Sequence, residues 1–287
     1  MELDKFYTRK SVANKCYKQY KKIQQKAGFD LTLLEPSAGD GIFLDIFEDN
    51  NESYLALDIS PEDSRIKKQD FFKFKAKKKY CVIGNPPFGK RGLLALAFMN
   101  KAMELSPLVG FIVPKTFCKY SIQKNINHNF MLVSEVDLKD CIYRTGEKTT
   151  TINTLFQVWL DRRQVDESKF VNNRIVSPPP TKHDDFELFL HNNTTKTLKY
   201  YDKDVYQWDF AVYRQGYYDY NSLIYDESAL KSNVQYMFIK ANNRNALKIL
   251  KKIDYEKLSK KYSTTIPGFG KADLIKEYNF IRSKNGK

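Results

Sequence analysis

Metal-ligating and disulfide-forming side chains are scarce in this sequence. Its 287 residues include only four cysteines and three histidines. The cysteines, at positions 16, 81, 118 and 141, are far apart, and no C-x-x-C pair occurs. This spacing predicts neither a zinc site nor a disulfide framework, and free thiols suit a reducing cytoplasm. We therefore expect no bound metal ion.

Long hydrophobic runs are also missing. No uninterrupted apolar stretch is long enough to span a bilayer, and residues 1–5 do not start a basic head followed by an apolar core. We expect a protein with no membrane partner, located in the cytoplasm of a bacterium or of a host cell of a phage or virus.

Acidic side chains are outnumbered by basic ones. Lys and Arg total 48 against 34 Asp and Glu, which gives a formal net charge of +14 and an isoelectric point near 9.3. Such a charge attracts polyanions, so nucleic acid is the first partner to consider. A lysine excess also serves solubility, and charge alone leaves the partner open.

Strand-like and helix-like segments alternate through the first half of the chain. An amphipathic helix is predicted over residues 9–27 and another helix over 93–105. Short apolar runs predict buried strands at 31–34, 54–57, 80–83 and 109–113. This alternation predicts an α/β fold with a doubly wound, Rossmann-like parallel sheet.

The segments after residue 113 first add strands to the sheet and then form a separate domain. Residues 130–136 are strand-like, and the β-branched segment 149–160 is predicted as the sheet's last strand. Three prolines at 178–180 cannot continue a helix or a ladder. We predict a catalytic domain over 1–165, a linker over 166–182 and a smaller domain over 183–287, which contains a charged helix near 242–261.

The most specific motif is Asn85-Pro86-Pro87-Phe88, directly after the strand that ends at Gly84. The prolines stiffen the backbone, so the Asn85 side chain and the Pro86 carbonyl project together. Both can accept hydrogens from an aromatic amino group and favour its pyramidal form, whose lone pair attacks a methyl sulfonium. Phe88 can stack on an extruded base. The alternative is an ordinary turn, which the position after a buried strand disfavours.

A glycine-containing turn, Glu35 to Gly41, follows the first predicted strand. Its glycines permit close approach of the backbone to a ligand, and the helix N-terminus behind them favours a carboxylate. Nicotinamide cofactors use a related motif, but Leu44 occupies its last glycine position.

Two acidic residues follow later strands. Asp58 comes after the second strand, where a carboxylate accepts from both ribose hydroxyls. Asp70-Phe71 suits an adenine ring. Taken alone, Asp58 and Asp70 are also explained as capping residues, and Phe71 as a core residue.

In this order the motifs resemble those of the DNA amino-methyltransferase family, over most of residues 2–160. The resemblance implies the gamma arrangement, a sheet of about seven strands with the last antiparallel, and S-adenosylmethionine (SAM) as cofactor. Its implied catalytic residues are Asn85, Pro86, Pro87 and Phe88, where Phe88 replaces the commoner Tyr. Its implied cofactor-binding residues are Lys5, Phe6, Tyr7, Thr8, Glu35, Ser37, Ala38, Gly39, Gly41, Asp58, Ile59, Asp70 and Phe71.

The resemblance also implies a reaction: site-specific methylation of adenine N6 in double-stranded DNA, in a restriction–modification, phage or viral setting. A cognate restriction endonuclease is a possible partner that the activity does not require. Methylation of amino groups in ribosomal or transfer RNA, or of cytosine N4 in DNA, remains an alternative. The basic charge disfavours methylation of a protein glutamine, and the intact tetrapeptide disfavours a non-catalytic binding subunit.

The C-terminal domain is implied to recognise the target sequence. Candidate DNA contacts are Trp208, Tyr213, Arg214, Gln215 and Lys271. Arg and Gln can read guanine and adenine edges, and aromatic rings can stack or wedge. The alternative is that the rings form the core of this domain and that Lys271 is a solvated lysine.

Overall fold

A computed structural model of the protein describes residues 7–138, 142–145 and 148–285. The chain divides into two compact units, Met1–Ser177 and Pro178–Lys287. Each unit contains buried hydrophobic clusters of its own. None of the helices in the described ranges is both long and apolar enough to cross a membrane.

The first unit contains these elements in its described part. Its strands are β1 (Leu33–Glu35), β2 (Tyr54–Asp58), β3 (Lys67–Lys68), β4 (Cys81–Gly84), β5 (Leu108–Pro114), β6 (Phe130–Leu138), β7 (Ile142–Thr145), β8 (Lys148–Thr151) and β9 (Thr154–Asp161). Its α-helices are α1 (Lys10–Ala27), α2 (Ile42–Asp49), α3 (Leu93–Leu105) and α4 (Tyr120–Gln123).

Seven of these strands form one sheet in the order β3-β2-β1-β4-β5-β9-β6. Strands β1 to β5 pair in parallel, whereas β9 runs antiparallel between β5 and β6. The predicted α/β class and the antiparallel last strand are confirmed. Because β1 has β2 on one side and β4 on the other, the strand order reverses at β1. The carboxyl ends of these strands border the crevice where ligands bind in such sheets.

Helix α1 packs on the sheet through a buried apolar face. Ala13, Cys16, Tyr20 and Ile23 recur at helical spacing and are buried. The Tyr20 hydroxyl donates to the carbonyl oxygen of Leu108 at 2.9 Å. A Cβ at Gly110 would lie 2.4 Å from the Tyr20 ring, so only glycine leaves room for this contact.

The predicted last strand, 149–160, is wrong as a single element. Residues 148–151 pair as β8 with β7, and β9 begins only at Thr154. The β-branched composition continues across both strands, and Asn153 is the only turn-type residue between them. Periodicity therefore gave little signal of the break.

The division between the two units falls within the predicted linker, 166–182. Residues 162–175 belong to the first unit, and the division lies between Ser177 and Pro178. Arg174 anchors this segment, because its guanidinium lies over the Trp159 ring at 5.6 Å. It also donates, over 2.6–2.9 Å, to the carbonyl oxygens of Gln123, Ile126, Asn127 and Phe130.

The second unit is built on a three-stranded antiparallel sheet in the order β10-β12-β11. Its strands are β10 (Phe186–His191), β11 (Phe210–Gln215) and β12 (Gln235–Ala241). Its α-helices are α5 (Thr195–Leu198), α6 (Lys203–Tyr206), α7 (Arg244–Lys251), α8 (Tyr255–Lys261) and α9 (Lys271–Asn285). The single helix predicted near 242–261 is wrong: it is two helices, because the Asp254 side chain caps a new start at α8.

We expect Arg174→Ala to lower the free energy of unfolding by about 2–3 kcal/mol, because buried carbonyl oxygens lose a charged donor. The matched control is Arg162→Ala, whose exposed ion pair with Glu167 should contribute far less to stability. Urea denaturation of the full chain, followed by tryptophan fluorescence, measures both. Equal small losses in the two variants would contradict the anchoring role of Arg174.

Candidate active site

A cavity of about 270 Å³ opens at the carboxyl ends of β1, β2 and β4. Many of its lining residues belong to the motifs predicted from sequence: Tyr7, Ser37, Gly39, Asp58, Ile59, Asp70, Phe71, Asn85, Pro86 and Pro87. Sequence reasoning missed the others, which are Pro36, Ser60, Gln69, Phe72, Leu94 and Phe98. Motifs that are far apart in sequence thus line one cavity, at the point where the strand order reverses.

The Asp58 carboxylate is fixed at the end of β2 by two backbone donors. One oxygen accepts from the Gly39 N–H at 2.9 Å, and the other accepts from the Ser60 N–H at 2.8 Å. The carboxylate therefore joins the turn after β1 to the turn after β2. It presents a rigid acceptor to the cavity, which suits a ligand that donates from two neighbouring hydroxyl groups.

The turn after β1 is also joined to the tetrapeptide after β4. The Ser37 hydroxyl donates to the Asn85 carbonyl oxygen at 3.2 Å. Ala38 and Gly41 are buried and do not line the cavity. The Ala38 N–H donates to the Leu57 carbonyl oxygen at 2.9 Å, so this residue holds the turn against β2 rather than facing a ligand.

The Asn85 amide is oriented by Thr8, a buried residue that precedes α1. The amide nitrogen donates to the Thr8 hydroxyl oxygen at 3.0 Å. With the amide nitrogen as donor, this hydrogen bond fixes the plane of the amide and leaves its oxygen as an acceptor. Pro86 and Pro87 follow in trans and line the cavity. Lys5 and Phe6, predicted beside Thr8, lie outside the described residues.

Glu35 lies at the end of β1 with its side chain only 2% exposed, and it does not line the cavity. A Cβ at Gly84 would stand 3.2 Å from its Cγ, so it sits between β1 and β4. Burial raises the pKa of this carboxyl well above its usual range, and the nearby Asp40 and Asp58 add to the rise. Its Oε2 atom has no hydrogen-bond partner among the described residues. A positively charged ligand would favour its ionised form.

The far side of the cavity is apolar and partly open. Ile59 and Phe72 are 53% and 44% exposed. The Phe98 ring stacks on Phe71 at 5.3 Å and meets the edge of Phe72 at 5.0 Å. Asp70 accepts from the Phe72 N–H at 2.9 Å and so begins the turn that carries these rings. This wall suits a planar ring.

The predicted stacking role of Phe88 is corrected by the structure. Its ring is 6% exposed and packs in the main hydrophobic cluster of the first unit, and it does not line the cavity. The apolar surface beside Asn85 comes from Pro87, Leu94 and Phe98. In this conformation Phe88 anchors the tetrapeptide, and a base has no access to its face.

Two of the candidate DNA contacts in the second unit have structural roles. Trp208 is 1% exposed and packs against Phe238, so its assignment as a base contact is corrected to a core residue. The Lys271 ammonium donates to the Leu188 carbonyl oxygen at 2.5 Å, and burial lowers its pKa. A lysine held in this way is not the solvated or phosphate-facing lysine that the sequence suggested.

The other candidates lie on β11. Tyr213 is half-buried and its ring stacks on Tyr218 at 4.5 Å. Arg214 donates to Gln235 at 2.8 Å and to Asn192, and burial lowers the pKa of its guanidinium. Gln215 is exposed at the end of the strand. Of the predicted DNA contacts, Gln215 is thus the most accessible.

Among the residues that the structure describes, no group of three or more His, Cys, Asp or Glu side chains is placed to hold a metal ion.

Comparison with known proteins found similarity only among solved structures. No protein-family model and no curated protein matches the chain. A proposed RNA methyltransferase from Pyrococcus horikoshii is 15% identical, with a TM-score of 0.44 over 55% of this chain and 88% of its own. The 23S rRNA methyltransferase ErmE is 13% identical, with a TM-score of 0.37 over 56% and 70%.

Magnesium protoporphyrin IX methyltransferase from Synechocystis is 10% identical, with a TM-score of 0.38 over 53% of this chain and 78% of its own. The fold class rests on the strand order and directions given above, and not on these likenesses.

We expect Glu35→Gln to stabilise the protein near neutral pH. Because the folded-state pKa of Glu35 is raised, its contribution to stability is fully present below the unfolded pKa. This contribution is lost as the pH rises through the folded pKa, by up to about 1.4 kcal/mol per pH unit.

The measurement is the difference in unfolding free energy between wild type and variant, from about pH 4 to about pH 8. The control is Glu104→Gln, at an exposed position. A difference that does not change with pH would show that Glu35 is ionised in the folded protein as readily as in the unfolded chain.

Proposed function

We propose that this protein is a SAM-dependent methyltransferase that methylates an exocyclic amino nitrogen of a nucleic-acid base. The leading target is adenine N6 in double-stranded DNA. One observation carries the proposal. The cavity unites a backbone-fixed carboxylate, Asp58, with the Asn85-Pro86 acceptor pair at the switch point of a Rossmann-like sheet. These are the groups that a nucleoside cofactor and an amino substrate each require.

The residues present fit SAM by their chemistry. Asp58 would accept from the ribose hydroxyls, and Ile59, Phe71 and Phe72, which line the same cavity, would pack on the adenine ring. The Asp70 carboxylate lies in the same wall and suits the adenine amino group. The nearby buried Glu35 carboxyl, whose pKa is raised by burial, would be favoured in its ionised form by a positively charged ligand. When bound, SAM supplies a methyl group on a positively charged sulfur.

Asn85 and Pro86 activate the amino nitrogen of the substrate. The Asn85 amide oxygen and the Pro86 carbonyl oxygen accept its two hydrogens and hold it pyramidal, with the lone pair directed outward. With SAM bound, this lone pair would take the methyl group, and the neutral thioether would be the leaving group. The product amine then loses a proton to water, so the reaction needs no general base from the chain. Thr8 keeps the amide in the accepting orientation.

The proposed partner is double-stranded DNA. The net charge of +14 supports a polyanionic partner. Asn85 lines a cavity in the protein, so we expect the target base to leave the duplex to reach it. We assign sequence recognition to the second unit, where Gln215 at the exposed end of β11 is the first candidate for a base contact.

The test is a parallel assay with radiolabelled SAM on unmethylated DNA, RNA and protein, followed by long-read sequencing of plasmid DNA. We expect label in DNA, at adenine N6 within one short motif. Label only in RNA, or only at cytosine N4, would overturn the assigned target. Label only in protein would overturn nucleic acid as the substrate.

We expect Asn85→Ala to lower turnover about a hundredfold or more, the scale for losing a preorganised polar contact to the reacting group. SAM affinity should change little, because Asp58 and the turn after β1 are intact. The control is Asn125→Ala, an exposed position in the same unit. Single-turnover kinetics and calorimetry separate the two effects, and normal turnover in Asn85→Ala would reject the mechanism.

A further inference from the structure

A short turn, residues 89–93, follows the tetrapeptide directly and leads into α3. It lies beside the cavity, because Pro87 before it and Leu94 after it both line the cavity wall. The Gly92 N–H donates to the Gly89 carbonyl oxygen at 3.2 Å and closes the turn. The side chains of this turn therefore lie next to the cavity wall.

The backbone of this turn is packed tightly against neighbouring side chains of the first unit. A Cβ at Gly89 would stand 2.7 Å from the Leu94 Cβ, and one at Gly92 would stand 3.3 Å from the Phe117 ring. Both glycines have positive φ, as does Arg91 between them at 56°. A side chain at that φ strains the backbone, and such strain is found where a residue has a function.

Three side chains project from this fixed backbone into solvent. Lys90 and Arg91 are exposed, and Leu93 is 60% exposed. Neither cation forms an ion pair with another of the described residues. The chain has no acidic residue between Asp70 and Glu104, so nothing local in sequence offsets this charge. The turn thus carries two cations and one apolar side chain, with its backbone held in place.

This combination matches the chemistry of a duplex from which one base has been extruded. The gap in the stack is apolar, and a leucine can fill it as other apolar wedges do. The strand beside the gap carries phosphates, which pair with lysine and arginine. On the basis of the proposed function, we propose that the 89–93 turn is the duplex-opening contact: Leu93 packs into the vacated step while Lys90 and Arg91 hold the flanking phosphates.

The experiment uses the full chain and a duplex that contains the mapped site in two forms. In one form the target base is paired, and in the other it lies opposite an abasic site and is already unpaired. We expect Leu93→Ala to slow methylation of the paired form about tenfold or more and of the unpaired form less than twofold, because base extrusion is least costly there. Leu198→Ala, at a half-exposed leucine of the second unit, should match wild type on both.

The cation is tested by Arg91→Gly, which removes the charge and also relieves the positive φ. We expect weaker DNA binding with a salt slope reduced by about one, and a melting temperature that is unchanged or raised, so that misfolding cannot explain the loss. Lys248→Gln, at an exposed position on α7, is the control.

The inference is overturned if Leu93→Ala slows both duplexes equally or neither, or if Arg91→Gly leaves the salt slope unchanged. Wild-type protein that methylates neither duplex would instead reject the proposed function itself.

Discussion

The Asp58 carboxylate holds the cavity together, because its two oxygens accept backbone hydrogens from both sides. Gly39 belongs to the turn after β1, and Ser60 belongs to the turn after β2. Through Ser37, the first of these turns is also bonded to the backbone of Asn85 after β4. Hydrogen bonds thus link the carboxyl ends of β1, β2 and β4. Asp58 makes two of them, and Ser37, in the turn that Asp58 holds, makes the third. The groups assigned to cofactor and substrate keep their spacing for this reason.

The same arrangement brings acidic side chains together in a strongly basic protein. Glu35, Asp40 and Asp58 lie close enough for the two aspartates to raise the pKa of Glu35, which burial has already raised. A buried, unpartnered carboxyl oxygen costs free energy unless it is protonated or meets a cation. The sulfonium and ammonium of SAM would supply positive charge at this point.

Much of the fold of the first unit could be predicted from sequence. The strands that flank the cavity are short apolar runs, and the motifs follow them directly, so Asp58, Gly39 and Asn85 were placed at the correct edge of the sheet. The break between β8 and β9 was missed, because threonines and valines favour strands on both sides of it. The exact end of the first unit inside the predicted linker could not be predicted from local sequence, because Arg174 is anchored by backbone carbonyls that are distant in sequence.

Side-chain exposure was harder to predict than position. Phe88 ends one motif and Phe72 directly follows another, yet only Phe72 lines the cavity. Phe98 reaches the cavity from α3, and it belongs to none of the motifs predicted from sequence. In the second unit, aromatic rings suggested DNA contacts, but Trp208 is enclosed by its neighbours. Local patterns identify which residues lie near a strand end, whereas tertiary packing decides which way each ring points.

Binding of S-adenosylhomocysteine tests the central claim most directly, since it isolates the cavity from the choice of nucleic acid. The account predicts that calorimetry finds one site per chain, and that Asp58→Asn weakens it by about 1–3 kcal/mol, as expected when hydroxyls lose a charged acceptor. Asp49→Asn, at an exposed position on α2, should leave the affinity unchanged. No binding to the wild-type protein, or equal affinity in wild type and Asp58→Asn, would contradict the account.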